Sequence, residues 1–429
     1  MKITAVRGFR DILPEESAVW QGIETRARTA FAAYGFSEII LPVLEKTELF
    51  ARAIGETTDI VEKEMYTFTD RDESSLTLRP EGTASVIRAY IEHSLAHREP
   101  VSKLFYIGPM FRRERPQKGR YRQFHQIGAE ILGRDDPLID AELLLMLHDF
   151  FTALRLEVAI DVNSLGDAVC RPGYRESLRA FGESRLAELC ENCHARLHRN
   201  PLRLLDCKEP GCRQATADAP VLTDFLCAPC RDHFARVQAY LRQENVPFAL
   251  NPRLVRGLDY YCRTSFEVIA RGLGSQNAVC GGGRYDGLVE QLGGPAVPGI
   301  GFAIGVERLV MLLQAQEHHP PSPPDLFIAP LGEAAEGRAF SVAHRLRRGG
   351  YQIELESGGR GLKAQMRRAD KLGVRYVLIL GENELAAGKG TVRDMQAKSD
   401  RPTAVDLALP ARAMIEAIHN VSGQPSTAS

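Results

Sequence analysis

The sequence has no long hydrophobic run and no excess of either charge. No stretch approaches about 18 consecutive apolar residues, the length that a transmembrane helix needs, so we expect no membrane span. Lys and Arg number 54 against 55 Asp and Glu, a formal net charge of −1, and total charge therefore gives no argument for a polyanionic partner. Charge also precedes any apolar run long enough for a signal peptide. We expect a cytoplasmic globular protein.

Two common functional motifs are also missing. There is no GxxxxGK[ST] phosphate-binding loop, because the nearest match, Gly381 to Lys389, has the wrong spacing and no hydroxyl. There is no HExxH zinc motif either. Any nucleotide site must therefore be built from arginine side chains on a sheet.

The nine cysteines are unevenly distributed, with six of them between Cys190 and Cys230. Two CxxC pairs are separated by 33 residues, which is a spacing typical of a four-thiolate zinc site. Without a secretory signal, such pairs favour metal over disulfides. We predict a structural Zn²⁺ whose ligands are Cys190, Cys193, Cys227 and Cys230. Cys207 and Cys212 can together replace either pair, and reduced, partly buried thiols are the alternative.

The chain length predicts two or three folded units, at roughly 150 residues each. Charged, helix-like segments with the clustered cysteines occupy residues 163–250. Residues 315–325 contain four prolines, which is linker composition. Residues 326–421 alternate strand and helix patterns, which predicts a small α/β domain. The polar residues 422–429 read as a flexible tail.

The strongest functional signal is an arginine-rich hairpin. Two predicted strands, 103–113 and 121–132, are joined by a polar loop at a spacing typical of antiparallel pairing. Between Arg112 and Arg122 lie six cations and one acid, a local net charge of +5. Five of these cations are arginines, whose planar fork suits phosphate oxygens. We favour a site for a triphosphate and a nucleic-acid end over a merely solvated hairpin tip.

The returning strand carries an unusual set of side chains. Phe124, Gln126, Gly128 and Glu130 share one face, because side chains alternate along a strand. A ring, an amide, a bare backbone and a carboxylate suit a polar ligand with a stacked ring better than a half-exposed sheet face.

Two further segments can complete such a site. Glu81, at the start of a predicted helix from Thr83, can hold an ammonium group, and N-capping by Thr83 is the compatible alternative. Arg256 lies in a predicted strand, 253–268, where its guanidinium needs an anion, either an internal carboxylate such as Asp259 or a phosphate.

A third segment, 299–313, predicts a strand that leads into a helix, with glycines at alternate positions and Arg308 pointing toward an anion. Tight packing explains these glycines equally well. The glycines at 281–283 predict a turn.

These segments resemble class II aminoacyl-tRNA synthetases, and within that class the histidyl-tRNA synthetase family, over nearly the whole chain. FRRE at 111–114 resembles motif 2, GFAIGVER at 301–308 resembles motif 3, and residues 36–43 resemble motif 1. RLVRGLDYY at 253–261 and GGGRYD at 281–286 are similar to segments peculiar to the histidine enzymes. The resemblance implies an α+β fold in which 1–162 and 251–314 form an antiparallel catalytic core with flanking helices. It also makes 163–250 a helical insertion and 326–421 an anticodon-binding domain.

The resemblance also assigns roles to individual residues. It places Arg112 and Arg256 at the α-phosphate of ATP as the catalytic cations. The adenine edge, the adenine ring and the γ-phosphate would be contacted by Glu114, Phe124 and Arg308. Histidine would be held by Glu81, Thr83, Gln126, Glu130, Tyr260 and Tyr261. The acceptor end of the tRNA would meet Arg115 and Gln117.

The implied activity is that of a histidine–tRNA ligase. Histidine would attack the α-phosphorus of ATP, which is bound with Mg²⁺, and would then be transferred from the adenylate to tRNA(His). The implied assembly is a homodimer formed through motif 1. Nine Lys and Arg against three acids between Val342 and Arg375, a net charge of +6, favour RNA binding there over a solvated helix face.

A non-catalytic relative, the synthetase-like regulatory subunit of ATP phosphoribosyltransferase, is the alternative reading. Such relatives typically lack the C-terminal domain and lose the ATP-binding arginines. Here Arg112, Arg256 and Arg308 are present, and so is the basic domain. A general RNA-binding protein would leave Glu130 and Tyr261 unexplained.

Overall fold

The computed structural model describes residues 3–55, 58, 60–117, 119–258, 260–270, 278–316, 323–397 and 403–420. The chain divides into two compact units, Met1–His319 and Pro320–Ser429. Most of the predicted linker and all of the predicted tail lie outside the described residues. Within the described residues, no helix combines the length and the apolar character needed to cross a membrane.

The first unit alternates helices and strands around a large sheet. In chain order its elements are α1 (Pro14–Ala33), β1 (Ser37–Glu38), β2 (Leu44–Lys46), α2 (Thr47–Ile54), β3 (Tyr66–Thr69), β4 (Ser75–Leu78), α3 (Thr83–Glu92), β5 (Ser102–Phe111), β6 (Gln123–Leu132), α4 (Pro137–Ala153), β7 (Val158–Ser164), α5 (Arg171–Ser184), α6 (Glu191–Arg199), α7 (Pro210–Ala215), α8 (Ala228–Gln243), β8 (Phe248–Leu250), β9 (Cys262–Ala270), β10 (Ala278–Arg284), α9 (Leu288–Gln291), β11 (Gly299–Gly305) and α10 (Val306–Gln316). Short 3₁₀ or π turns occur at Ile60–Glu64, Leu95–His97, Leu186–Glu188, Pro201–Leu204 and Leu222–Phe225.

Eight described strands form the main sheet, in the order β1-β5-β6-β11-β10-β9-β7-β8. Neighbours are antiparallel except for β1 with β5 and β7 with β8. A small second sheet has the order β2-β4-β3. The predicted class of fold, an antiparallel sheet with flanking helices, is confirmed.

One face of the main sheet is covered by α1, α4, α8 and α10, which bury a continuous apolar core against it. The first helix illustrates why the sequence folds this way. Pro14 stands at its first turn, where a missing N–H costs nothing, and Ile23, Ala27 and Phe31 repeat at a spacing of four and are buried. On the opposite face, Val86 and Ala89 of α3 pack against Tyr106 and Met110 of β5, and the site lies beside them.

The second unit is a separate α/β domain. Its elements are β12 (Leu326–Pro330), α11 (Glu333–Arg348), β13 (Ile353–Leu355), α12 (Leu362–Lys371), β14 (Tyr376–Leu380), α13 (Glu382–Ala387), β15 (Lys389–Asp394), β16 (Thr403–Asp406) and α14 (Ala411–Asn420). The strand order is β13-β12-β14-β15-β16, parallel among the first three and antiparallel thereafter. The predicted α/β pattern is confirmed.

Three local predictions are wrong. The strand expected over 36–43 is reduced to β1, since Pro42 cannot donate to a ladder and Arg79 binds the carbonyls of Leu41 and Pro42 at 2.8 and 3.2 Å. The strand expected from residue 253 begins only at Cys262, because the segment before it is held as a loop by side chains such as Asn163, whose Nδ2 donates to Leu254 O at 3.0 Å.

The third error concerns the glycines at 281–283, which lie inside β10 rather than in a turn. Their absent side chains make room for neighbours. A Cβ at Gly282, for example, would lie 2.2 Å from the carbonyl oxygen of Gly301 on the adjacent strand.

Candidate active site

The β5–β6 hairpin forms one wall of a cleft on the open face of the main sheet. Arg112 donates from Nε to Pro80 O at 2.9 Å, and its guanidinium lies 5.3 Å from the centre of the Phe124 ring. Glu114 is held by Arg120 at 2.9 Å. The loop thus folds back, so that Glu114 and Arg120 both face the cleft.

Two carboxyl groups, those of Glu81 and Glu130, bind the first residues of α3. Both oxygens of Glu81 accept backbone N–H groups, from Thr83 at 2.7 Å and Ala84 at 2.9 Å. Glu81 therefore caps the helix, and the alternative of capping by Thr83 is wrong. The hydroxyl of Thr83 instead donates to Glu130 at 2.7 Å.

Glu130 is completely buried beneath the cleft rather than on its surface. The hydroxyl of Tyr285 also donates to it, so both of its oxygens have partners. Gly301 is required beside it, because a Cβ at that position would lie 1.7 Å from Glu130 Oε2. Burial raises the pKa of Glu130 to about 8, against the lowering effect of the two hydroxyls.

Arg256 comes from the loop that precedes β9 and is anchored from two sides. It pairs with Glu267 at 2.9 Å, and its guanidinium lies 5.2 Å from the centre of the Tyr261 ring. Burial alone would lower the pKa of Arg256, but Tyr261 and Glu267 outweigh it and raise that pKa. A Cβ at Gly281 would lie 2.4 Å from Arg256 Nη1, which explains the glycine on the neighbouring strand. Asp259, the other anion considered for Arg256, lies outside the described residues.

The end of β11 and the start of α10 close the cleft. Arg308 donates to the carbonyl of Ala278, and burial together with nearby Arg120 lowers the pKa of its guanidinium. Glu307 accepts the backbone N–H of His125 at 2.8 Å, which ties α10 to β6.

These segments line one open cleft with a cavity volume of about 270 Å³. The predicted ATP and histidine residues that line it are Glu81, Thr83, Arg112, Glu114, Phe124, Gln126, Arg256, Tyr260, Tyr261 and Arg308. Glu130 lies one layer below them. Arg115 and Gln117 are exposed on the hairpin loop, outside the cleft lining.

Sequence reasoning missed three residues that fix this arrangement. Glu267 pairs with Arg256, Tyr285 holds Glu130, and Arg120 pairs with Glu114. Glu267 had a readable signal, because it interrupts the otherwise apolar run Phe266–Val268 of a strand. Tyr285 stands in a motif that the resemblance had already singled out.

The predicted zinc ligands do not come together as one set. Among the described residues, Cys190 and Cys193 are grouped with Cys207 and Cys212, whereas Cys227 and Cys230 are grouped with Asp167 and Cys170. The two CxxC pairs begin different helices, α6 and α8, which pack in separate apolar clusters. The predicted combination of Cys190, Cys193, Cys227 and Cys230 is therefore wrong.

The main sheet is largely antiparallel, and one cleft on it combines arginine side chains with a buried carboxyl group. This arrangement is that of a class II aminoacyl-tRNA synthetase. The family model described as histidyl-tRNA synthetase matches residues 8–309, and the one described as anticodon binding domain matches 325–409. The chain belongs to the histidyl-tRNA synthetase family.

Individual relatives agree with this assignment. The histidine–tRNA ligase of Syntrophotalea carbinolica is 57% identical over 407 residues, which are 95% of this chain and 97% of the relative. That of Trichlorobacter lovleyi is 57% identical over 415 residues, 96% of this chain and 99% of the relative. The crystal structure of apo S. aureus histidyl-tRNA synthetase matches with a TM-score of 0.79 and 36% identity, over 97% of this chain and all of that one.

The buried Glu130 makes a pH-dependent contribution to stability. Its pKa rises from an ordinary 4.5 to about 8, so the native chain holds a proton that the unfolded chain releases between these values. Stability from this group is therefore present at low pH and lost as the pH rises through about 8. Between about pH 5 and about pH 9, wild type should lose on the order of a few kcal/mol more unfolding free energy than Glu130→Gln.

Denaturant titration at several pH values measures this difference. Glu142→Gln, which removes a carboxylate paired with Lys103 at a partly exposed position, is the matched control and should follow wild type. Parallel pH profiles for wild type and Glu130→Gln would contradict the proposed proton at Glu130.

Proposed function

We propose that this chain is a histidine–tRNA ligase, which activates L-histidine with ATP and transfers it to tRNA(His). The observation that carries the proposal is the single cleft in which Arg112 and Arg256 adjoin a pocket floored by Glu130 and walled by Tyr260 and Tyr261. Family membership over almost the whole chain supports the same activity.

ATP would lie along the hairpin wall. Phe124 offers a ring face for the adenine, Glu114 an acceptor for its amino edge, and Arg308 a cation for the γ-phosphate. Arg112 and Arg256 would take the α-phosphate. ATP would be taken up as its Mg²⁺ complex, in which the cation neutralises part of the triphosphate charge.

Histidine would occupy the deeper end. Glu81 and Gln126 line the cleft where the α-amino group would sit, and Glu81 keeps free lone pairs although both of its oxygens accept backbone N–H groups. Thr83 links the two ends, since its hydroxyl binds Glu130. Tyr261 in the cleft lining would pair with one imidazole nitrogen and Glu130 with the other. Contact with Glu130 requires the lining to open, because this carboxyl group is fully buried beneath it. An analogue without those nitrogens would leave buried polar groups unsatisfied.

The chemistry then needs no nucleophilic side chain. The carboxylate of histidine attacks the α-phosphorus and pyrophosphate leaves. The terminal ribose hydroxyl of the tRNA then attacks the carbonyl carbon of the adenylate, which releases AMP and a proton. Arg112 and Arg256 hold the reacting groups in line and stabilise the charge that develops on the α-phosphate oxygens. Glu267 and Gly281 keep the Arg256 guanidinium in place for this task.

Two surfaces would receive the tRNA. Arg115 and Gln117, exposed on the motif 2 loop, would meet the acceptor end. In the anticodon-binding domain, α12 carries the exposed Lys363, Arg367 and Lys371 at intervals of four residues, which places these three cations on one helical face. Such a row suits a phosphate backbone.

We also propose a homodimer that works in the cytoplasm, where its tRNA substrate is used. Support for the dimer comes from exposed apolar side chains around the motif 1 segment, including Ile40, which is 92% exposed, Val43 and Leu44. Apolar groups clustered in this way mark an association surface.

A structural zinc ion remains part of the proposal, on the corrected set Cys190, Cys193, Cys207 and Cys212. These sulfurs lie within 4.8 Å of one another, and Cys190 Sγ lies 3.9 Å from Cys207 Sγ. A tetrahedral zinc with Zn–S near 2.3 Å separates its sulfurs by about 3.8 Å.

The regulatory-subunit alternative is not favoured, since the anticodon-binding domain is present.

Pyrophosphate exchange with each amino acid in turn tests the activity. We expect histidine alone to support exchange, because the buried partners at Glu130 and Tyr261 reject side chains that cannot pair with them. Exchange with a different amino acid, or none with histidine, would contradict the proposal.

Replacing the central cation tests its role. Arg256→Ala should lower the rate of histidine-dependent exchange by about 10²–10³-fold, the usual loss for one charge-stabilising group. Arg28→Ala removes an arginine that is also paired with glutamate but lies on α1, outside the cleft, and should leave exchange unchanged. Intact exchange in Arg256→Ala would remove Arg256 from the α-phosphate.

Substitutions on the basic face of α12 test whether tRNA charging can be lost while adenylate formation persists. Combining Lys363→Glu with Arg367→Glu should lower tRNA charging at least about tenfold, more so at low salt, because phosphate contacts are lost. Pyrophosphate exchange should persist, since neither residue belongs to the cleft unit. The control is Arg412→Glu, which makes the same kind of charge reversal on the exposed face of α14 in the same domain and should leave tRNA charging unchanged. Equal loss of both steps would count against a separate RNA-binding role.

Sedimentation measures the proposed dimer. Ile40→Asp should shift the chain toward monomer, since it places a charge in an apolar association surface. Leu250→Asp, at another exposed apolar position of the same unit, is the control and should sediment as wild type. A wild-type chain that is monomeric at micromolar concentration would refute the assembly.

A further inference from the structure

A second group of ligand atoms lies apart from the four clustered thiols. The side chains of Asp167, Cys170, Cys227 and Cys230 place one oxygen and three sulfur atoms within 4.8 Å of one another. Cys170 and Cys230 are buried, and the other two are half-buried. Sequence reasoning missed Asp167 and Cys170 as ligands, because neither belongs to a CxxC pair.

This group is assembled from the two ends of the helical insertion. Asp167 and Cys170 follow β7 directly, where the chain leaves the main sheet. Cys227 and Cys230 lie at the first turn of α8, the helix that brings the chain back to the core of the catalytic unit. The four ligands therefore close the insertion at its base.

The local hydrogen bonds orient these groups toward a common centre. Asp167 Oδ1 accepts the N–H groups of Val169 at 2.9 Å and Cys170 at 3.1 Å, which fixes the carboxylate. The N–H of Cys227 points at Cys170 Sγ from 3.2 Å. A backbone N–H directed at a cysteine sulfur stabilises a thiolate, the form in which cysteine binds metal.

The spacing of these ligand atoms is compatible with one bound ion. Cys227 Sγ lies 3.8 Å from Asp167 Oδ2, near the roughly 3.5 Å expected across a tetrahedral zinc with one sulfur and one oxygen ligand. Three thiols and a carboxylate that meet in one place cannot all be satisfied by a single disulfide. Three thiolates with one carboxylate form a closed four-ligand set, as in structural rather than catalytic sites.

We propose that Asp167, Cys170, Cys227 and Cys230 bind a second structural zinc ion, separate from the four-thiolate site, and that this ion positions the loop that carries Tyr260 and Tyr261. The assignment of the ion rests on the ligand geometry alone. Its effect on histidine binding rests on the proposed function.

The link from the ion to the cleft is short and made of hydrogen bonds. Arg171, next to Cys170, donates from Nε to Leu165 O at 3.2 Å and from Nη2 to the carbonyl of Tyr261. The backbones of Arg263 and the 165–166 segment exchange two N–H···O bonds, both 2.7 Å long. Fixing Asp167 and Cys170 therefore fixes the backbone on both sides of Tyr261 and Cys262.

Metal content tests the site without any assumption about activity. The full-length chain, purified without added metal or chelator, should contain about two zinc ions per chain by elemental mass spectrometry. Cys230→Ala and Cys212→Ala should each retain about one ion, since each disrupts a different site. Cys280→Ala, which removes a buried thiol outside both groups, should retain both ions. Unchanged zinc in Cys230→Ala would overturn the second site.

Replacing one metal ligand by another tests the site without removing the metal, so the result does not depend on whether the alanine variants fold. With Co²⁺ in place of zinc, Asp167→Cys should retain both ions and should raise the thiolate-to-cobalt absorption by about one seventh, because an eighth thiolate joins seven. Absorption equal to that of wild type would overturn Asp167 as a ligand.

Kinetics of pyrophosphate exchange test the positioning role. Loss of the second ion in Cys230→Ala should raise KM for histidine by about tenfold and also lower kcat, since the displaced loop carries Arg256 as well as Tyr260 and Tyr261. Arg185→Ala, which breaks an exposed ion pair with Asp218 within the insertion, should leave both constants unchanged. An unchanged KM for histidine in a Cys230→Ala chain that has lost zinc would overturn the coupling and leave the metal site standing.

Discussion

A carboxyl group buried at the centre of the main sheet constrains the rest of the catalytic unit. Glu130 receives the hydroxyls of Thr83 and Tyr285, so the start of α3 and the segment after β10 must both converge on β6. Gly301 on β11 has to lack a side chain for the same reason. A buried carboxyl group without such partners would lower the free energy of unfolding by several kcal/mol. The pocket is thus specified by the need to satisfy one carboxyl group.

The arginines of the cleft are each anchored by a carbonyl or carboxylate group of the protein. Without a phosphate-binding loop, the guanidinium groups themselves must be fixed in space before any nucleotide arrives. Arg112 is held by the carbonyl of Pro80, Arg256 by Glu267, and Arg308 by the carbonyl of Ala278. The fork of an arginine has five N–H donors, so a contact at one of them does not use up its capacity to donate. Preorganised cations of this kind act on developing charge without having to reorganise.

Local patterns predicted the elements that form from sequence neighbours. The β5–β6 hairpin and the residues that face its cleft follow from alternation and a polar loop, and α12 lies in the region whose alternating patterns predicted an α/β domain. Features that depend on distant contacts were not predictable. The Arg256 segment is a loop because Asn163, far away in the chain, binds its backbone, and Glu267 becomes its partner only when β9 pairs beside β10. CxxC spacing likewise cannot say which pairs meet, because α6 and α8 pack in different clusters.

The insertion and the cleft share one stretch of backbone. The chain leaves the sheet after β7 and returns through α8, and β9, which pairs with β7, begins directly after Tyr261. A helical segment with small apolar clusters has little core of its own to fix its base. Any motion at that base therefore reaches Tyr261 in the wall of the cleft, through Arg171 and the β7–β9 pairing. Rigid closure of the insertion at its two ends is accordingly a requirement of the pocket as well as of the insertion.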